Sequence, residues 1–135
     1  MKSAYRPASR GQAQAMIGIM ALGEEAAGAN IRSLHYKWLT SNVSETGIYS
    51  TLARLRDLGW ARRGERLCTM IAWEHKRRSP VYRITEAGHR ALVRYYMDAM
   101  WLGHVNARAH RGLVAEAESH LASIVARVRQ YRRAA

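Results

Sequence analysis

The sequence predicts a mainly α-helical chain with one small β-hairpin, and three observations predict it. Apolar residues recur at helical steps of three and four over residues 12–58 and again over 86–132. Between residues 60 and 84 that spacing gives way to β-branched and aromatic residues in short runs. Gly23, the run TSNVS, Gly59 and Thr85 punctuate the segments where elements should end or start.

Residues 1–11 carry Lys2, Arg6, Pro7 and Arg10 with Ser and Gly, and read as a basic, mobile arm. QAQAMIGIMAL then places Met16, Ile17, Met20 and Ala21 at helical spacing, which predicts a first helix over 12–22 ended by Gly23. Ile31, Leu34, Trp38 and Leu39 share one side of a second helix over 27–39. TSNVS suits a turn, and Ser44 can cap the next helix.

In the third helix, 44–58, Ile48, Leu52, Leu55 and Leu58 form a narrow apolar stripe that faces the core. The opposite side is Thr46, Ser50, Ala53 and Asp57, with Tyr49 and Arg54 on its flanks. Leu58-Gly59 closes the helix, and WARRGERLCTMIAWE reads as a strand. EHKRRS reads as a charged loop closed by Pro80, and VYRIT as the returning strand, so the hairpin has a basic tip. Thr85 is placed to cap a fourth helix with Glu86 in its first turn, and Leu92, Tyr95, Ala99 and Leu102 form its inner stripe. A last helix over 107–132 carries Val114, Ala117, Leu121, Ile124, Val128 and Tyr131 close to heptad spacing.

Length and charge narrow the function. A chain of 135 residues, 48% hydrophobic, builds one core rather than two. Its 22 Lys and Arg against 10 Asp and Glu leave a formal charge of +12, an imbalance that a polyanion relieves. Nucleic acid is the partner such a small basic chain implies. No window approaches the ~18 apolar residues of a membrane span, and MKSAYRPASRGQ has no apolar signal core, so no membrane is expected. The single cysteine, Cys68, fits a reducing, intracellular setting and reads as a small buried hydrophobe.

Three helices, a two-stranded hairpin, then more helix is the order of a winged helix-turn-helix, here over 12–85, followed by a C-terminal helical region over 86–135. In such a module the third helix enters the major groove and the hairpin lies along the backbone. Small residues at the front of that helix let base edges come close, which accounts for Ser44, Thr46, Gly47 and Ser50 where a stable helix would favour alanine or leucine.

The stretches MIGIMALGEEAAGANI, VSETGIYSTLARLRDLGWARR and SPVYRITEAGHRAL resemble the PadR-type transcriptional regulators, within the winged-helix superfamily that includes the MarR type. The resemblance covers residues 15–95, and Tyr82-Arg83-Ile84-Thr85-Glu86-Ala87-Gly88 carries it most specifically. It implies a homodimeric DNA-binding regulator in which Tyr49 touches a phosphate. Where the family's recognition helix has a proline after the tyrosine, this chain has Ser50, and its hairpin is longer.

The residues expected to touch DNA are therefore Ser44, Thr46, Tyr49, Ser50 and Arg54 from the third helix, with Arg62, Arg63, Arg66, Lys76, Arg77 and Arg78 on phosphates from the hairpin. Leu102, Val114, Ala117, Leu121, Ile124 and Val128 are expected to join two copies, because their stripe is longer than so small a domain covers alone. The competing expectation folds the last helix back on its own domain. Met97, Met100 and Trp101 are candidates to line a pocket for a small hydrophobic effector, with core packing as the alternative.

Enzymatic chemistry finds no foothold. There is no Gly-x-Gly-x-x-Gly, and no Lys-Ser/Thr follows Gly28. His35, His75, His89, His104, His110 and His120 are scattered and read as surface groups; Glu116 and His120 share a helix face but lack a third ligand. No metal, cofactor or catalytic residue is expected. The combined expectation is a cytoplasmic, nucleoid-associated regulator of double-stranded DNA. The alternative is a winged-helix module for assembly or RNA binding, without sequence reading.

Overall fold

A computed structural model of the protein describes residues 7–38, 45–71, 75–100 and 107–134. Helix α1 (Arg10–Leu22) starts at a capping box in which the Ser9 hydroxyl accepts from the Gln12 amide at 3.1 Å. The Gln12 side chain accepts from the Ser9 amide in return, at 2.9 Å. The helix therefore begins two residues before the apolar spacing predicts, inside the expected basic arm. Gly23 ends it at a φ of 60°, a left-handed conformation that suits glycine. A short 3-10 turn (Gly23–Glu25) leads into α2 (Gly28–Trp38), and α3 (Glu45–Asp57) follows. The hairpin β1 (Ala61–Met70) and β2 (His75–Ile84) precedes α4 (Glu86–Met100) and α5 (Ala107–Ala134). The chain is thus mainly helical with one antiparallel hairpin.

One apolar cluster runs through all five helices. Met16, Ile31, Leu34, Ile48, Leu52, Leu55, Leu92 and Leu121 are fully buried in it, each contributing about 1.5–3 kcal/mol of transfer free energy. Ile48, Leu52 and Leu55 are the predicted inner stripe of α3, and Leu58 lies partly buried beside them.

The hairpin departs from expectation in length. Residues 75–79, read as a loop, belong to β2, and Met70 pairs with His75 while Leu67 pairs with Arg78. Pro80 sits within β2 opposite Glu65, on the edge of a two-stranded sheet, where a missing N–H is tolerated. The buried face changes along the strands. Near the base Ala61 and Tyr82 face the main core; farther out Cys68 and Met70, on the opposite face, form a second cluster with Ala27. Two covered faces on one ribbon require pronounced twist, which two-stranded sheets readily adopt.

The C-terminal helices also correct the sequence reading. In α4 the buried side chains are Leu92, Val93 and Met97, while Tyr95 is only partly buried and Leu102 lies outside the described residues. In α5 they are Ala117, Leu121, Val125 and Val128, with Val114 and Ile124 partly buried. Steps of four, four and three suit a broad stripe on a globular core better than the 3.5-residue seam of a coiled coil. The helix packs on α1 and α4 of its own chain. Arg129 pins it there, donating to the α1 carbonyls of Ala21 at 3.2 Å and Met20 at 2.7 Å. Ala117, Leu121 and Val128, expected between two copies, are covered within one.

His35 is a second correction, since it is 1% exposed rather than a surface group. Its Nε2 lies 3.1 Å from the Gln14 carbonyl, and Nδ1 has no partner. Burial lowers its pKa below the usual 6.5, partly opposed by the Gln14 contact. The folded state therefore resists a proton that the unfolded chain accepts. Stability is expected to be full above pH 6.5 and to fall as pH drops below it, by up to about 1.4 kcal/mol per pH unit, until the folded pKa is passed. Urea midpoints measured between pH 7.5 and 5 check this, and His35→Leu should remove that contribution to the slope.

Candidate nucleic-acid interface

The outward side of α3 carries the small residues Ser50 and Ala53 in its middle and the cations Arg54 and Arg56 toward its end. Ser50, Ala53, Arg54, Arg56 and Asp57 are exposed, whereas Thr51 turns its hydroxyl back to the Gly47 carbonyl at 2.9 Å. Thr46 lies within α3, and Ser44 lies outside the described residues. Tyr49 is 42% exposed, and its ring covers Gly28 so closely that a Cβ at that position would overlap it. It thus packs on the start of α2 and keeps surface for a partner.

The hairpin grows from the end of α3 through a rigid joint. Gly59 turns the chain at a φ of 75°, the Trp60 amide donates to the Leu55 carbonyl at 2.9 Å, and the Thr85 amide donates to the Trp60 carbonyl at 3.0 Å. The Thr85 hydroxyl donates to the Gly59 carbonyl at 2.7 Å and accepts from the Gly88 amide at 3.0 Å, so one side chain caps α4 and ties it to α3. Gly88 is the close approach: a Cβ there would overlap the Trp60 carbonyl oxygen.

Farther out the hairpin is latched to the body. Tyr82 donates its amide to the Ala26 carbonyl at 3.0 Å, and Ala27 makes an isolated antiparallel bridge with Val81. Asn30, 1% exposed, donates to the carbonyls of Glu25 at 2.9 Å and Thr69 at 3.0 Å, and accepts from the Ile71 amide at 2.8 Å. Asn30→Ala strands these partly buried groups, and is expected to cost about 2 kcal/mol in urea unfolding and to speed amide exchange at Ile71.

Charge is unevenly compensated along the two strands. Arg66 is ion-paired with Glu24, and Arg78 with Glu65 at 2.7 Å. Arg62, Arg63, Lys76 and Arg77 are exposed and have no acidic partner among the described residues. Arg83 belongs with them: it is exposed, it stands directly opposite Arg62, and sequence reading missed it because only the register reveals the pairing. Like charges so opposed are destabilising unless an anion lies between them. The basic residues occupy the strands themselves, not a loop at the tip.

Cys68 is buried, and burial foremost, aided by the Glu25 carboxylate, pushes its thiol pKa up, away from nucleophilic chemistry. Of the expected effector pocket, Met97 packs in the main core, Trp101 lies outside the described residues, and Met100 lies in the last turn of α4. Among the described residues no three His, Cys, Asp or Glu side chains are grouped to hold a metal ion, and no helix is long and apolar enough to cross a membrane. No known family model matches the chain, and no curated protein matches it. The PadR resemblance rests on the three quoted stretches alone.

Proposed function

We propose that the chain is a winged helix-turn-helix protein that binds double-stranded DNA sequence-specifically as a transcriptional regulator. Helix α3 lies in the major groove and the hairpin is the wing. The observation that carries the reading is the two-sided build of α3, with Ile48, Leu52 and Leu55 buried while Ser50, Ala53 and Arg54 are exposed. The bridge between Ala27 and Val81, which sets a short third segment beside the hairpin, supports the same architecture. So do the uncompensated cations Arg62, Arg63, Lys76, Arg77 and Arg83 on a hairpin continuous with α3.

Pairing of two copies belongs to this reading, and Val114 and Ile124, partly buried at the border of the covered stripe, are the seam residues with surface to offer. Two copies of α3 one turn of duplex apart read a palindromic site. The protein then works in the cytoplasm, on the nucleoid, without a catalytic step.

A duplex selected from a random pool, compared with its scrambled version over a range of salt, tests the function. The selected duplex should bind at least about a hundredfold more tightly. Its log affinity should fall with log salt at a slope of about −4 to −5 for each copy bound if the five hairpin cations displace counterions. Equal affinity for both duplexes would favour an assembly or RNA-binding module.

A further inference from the structure

We propose that the free edge of β1 binds an extended acidic peptide of a partner protein, which adds to the hairpin as a third strand. The sheet has two strands, and the outer side of β2 is already engaged in part by the bridge between Ala27 and Val81. The outer side of β1 pairs with nothing among the described residues. Along it residues 62–67 are exposed without a break, so both faces of the strand and the edge between them are open. An open edge is a template for pairing, which folded proteins blunt with proline, bulges or charge. Proline and bulge are both missing from β1: its ten residues pair with β2 in unbroken register, and Pro80 stands on the other strand. Gly64, in the middle of the run, has nothing within 4 Å of a Cβ. The strand is also held extended at both ends, where the Trp60 amide donates to the Leu55 carbonyl and the Thr69 carbonyl accepts from Asn30. A preformed edge costs little to order on binding.

Charge selects the occupant. Glu65 is neutralised by Arg78 and Arg66 by Glu24, so the edge offers the net charge of Arg62 and Arg63. A second copy paired antiparallel across the centre of the exposed run would set Arg63 opposite Arg66 twice, and like charges directly opposite are destabilising. A strand with acids opposite Arg62 and Arg63 meets no such obstacle. Backbone hydrogen bonds hold such a strand, and side chains on alternate positions give it specificity. Antiparallel pairing, the more stable sense, fixes the order of those side chains. An apolar residue comes first, opposite Leu67, which is 55% exposed. An aromatic residue stands three positions later, covering Gly64, and acids stand four and five positions later, opposite Arg63 and Arg62. On the duplex reading above, Arg62 and Arg63 also serve phosphates, so peptide and duplex exclude each other.

The probe is a labelled peptide containing Ile-Thr-Thr-Tyr-Glu-Asp, titrated with the full chain and read by fluorescence anisotropy. Two further peptides carry N-methyl groups on alternate amides, one on each set. Only one set faces β1, so one methylated peptide should lose more than about tenfold in affinity while the other binds like the parent. Arg63→Glu, at an exposed position, should weaken the parent peptide about tenfold, and replacing the peptide's glutamate by lysine should restore binding to that variant. No binding of the parent peptide, or equal affinity of the two methylated ones, overturns strand addition. An Arg63→Glu variant that binds the parent unchanged overturns the choice of an acidic partner. Self-association of the full chain that Arg63→Glu strengthens assigns the edge to a second copy instead. None of these measurements contains DNA, so their failure leaves the regulator reading standing. The selected duplex, added last, should displace the peptide, and a peptide that stays on the duplex-bound chain would refute the exclusion.

Discussion

Gly88→Ala is expected to lower the unfolding free energy by about 3 kcal/mol and the melting temperature by about 10 °C. The obstacle is backbone: the new Cβ would overlap the Trp60 carbonyl oxygen and lie 2.9 Å from its carbon, with Ile84 Cγ2 at 3.1 Å behind. A side chain could rotate away, but the Trp60 carbonyl already accepts from the Thr85 amide at 3.0 Å. The first turn of α4 must therefore move off the joint that links α3, the hairpin and α4. Gly64→Ala is the control, because nothing lies within 4 Å of a Cβ there. It should change stability by less than about 0.5 kcal/mol. Thermal unfolding of both variants decides the matter, and an unshifted Gly88→Ala would refute the close approach.

Ser50→Glu is expected to weaken binding to the selected duplex more than a hundredfold and to leave the melting temperature unchanged. Ser50 is exposed on the helix side opposite Ile48, Leu52 and Leu55, so the longer side chain meets no core. In the major groove its carboxylate would face base edges flanked by phosphates, losing a small neutral contact and adding like-charge repulsion. Ser50→Ala keeps the size and should cost only a few-fold. Fluorescence anisotropy with labelled duplex measures both, and equal affinity of Ser50→Glu and wild type would take α3 out of the groove.

Much of this organisation is legible in the residues. The stripe of α3 follows from Ile48, Leu52 and Leu55 alone, because a short helix with one narrow apolar row has a single way to pack. Gly23 and Gly59, both at positive φ, end helices where their positions indicate. The Ser9–Gln12 capping box was equally legible, being a local signature, although apolar spacing misses it.

What escapes the sequence is set by tertiary contact. Asn30 reads as an ordinary polar residue until Thr69 and Ile71 are brought beside it. His35 reads as surface until Gly18, lacking a side chain, lets its ring pack against α1. In α5 heptad positions and globular stripe positions overlap at Ala117, Leu121 and Val128, so spacing cannot say whether a second copy or the chain's own α1 and α4 cover them; Val125 and Arg129 decide for the latter. The exposed Leu67 and the opposed Arg62 and Arg83 depend on strand register, which composition does not encode.

The most direct measurement of the central claim places a reporter on the outward side of α3. Ser50→Cys supplies an exposed thiol, while Cys68, 1% exposed, stays unlabelled in the folded protein. An iron chelate attached there cleaves DNA within reach of position 50. Cleavage confined to the centre of each half of the selected site, in the pattern of a reagent lying in the major groove, is the predicted result. Strand breaks spread evenly along a duplex that is nonetheless bound would contradict the account.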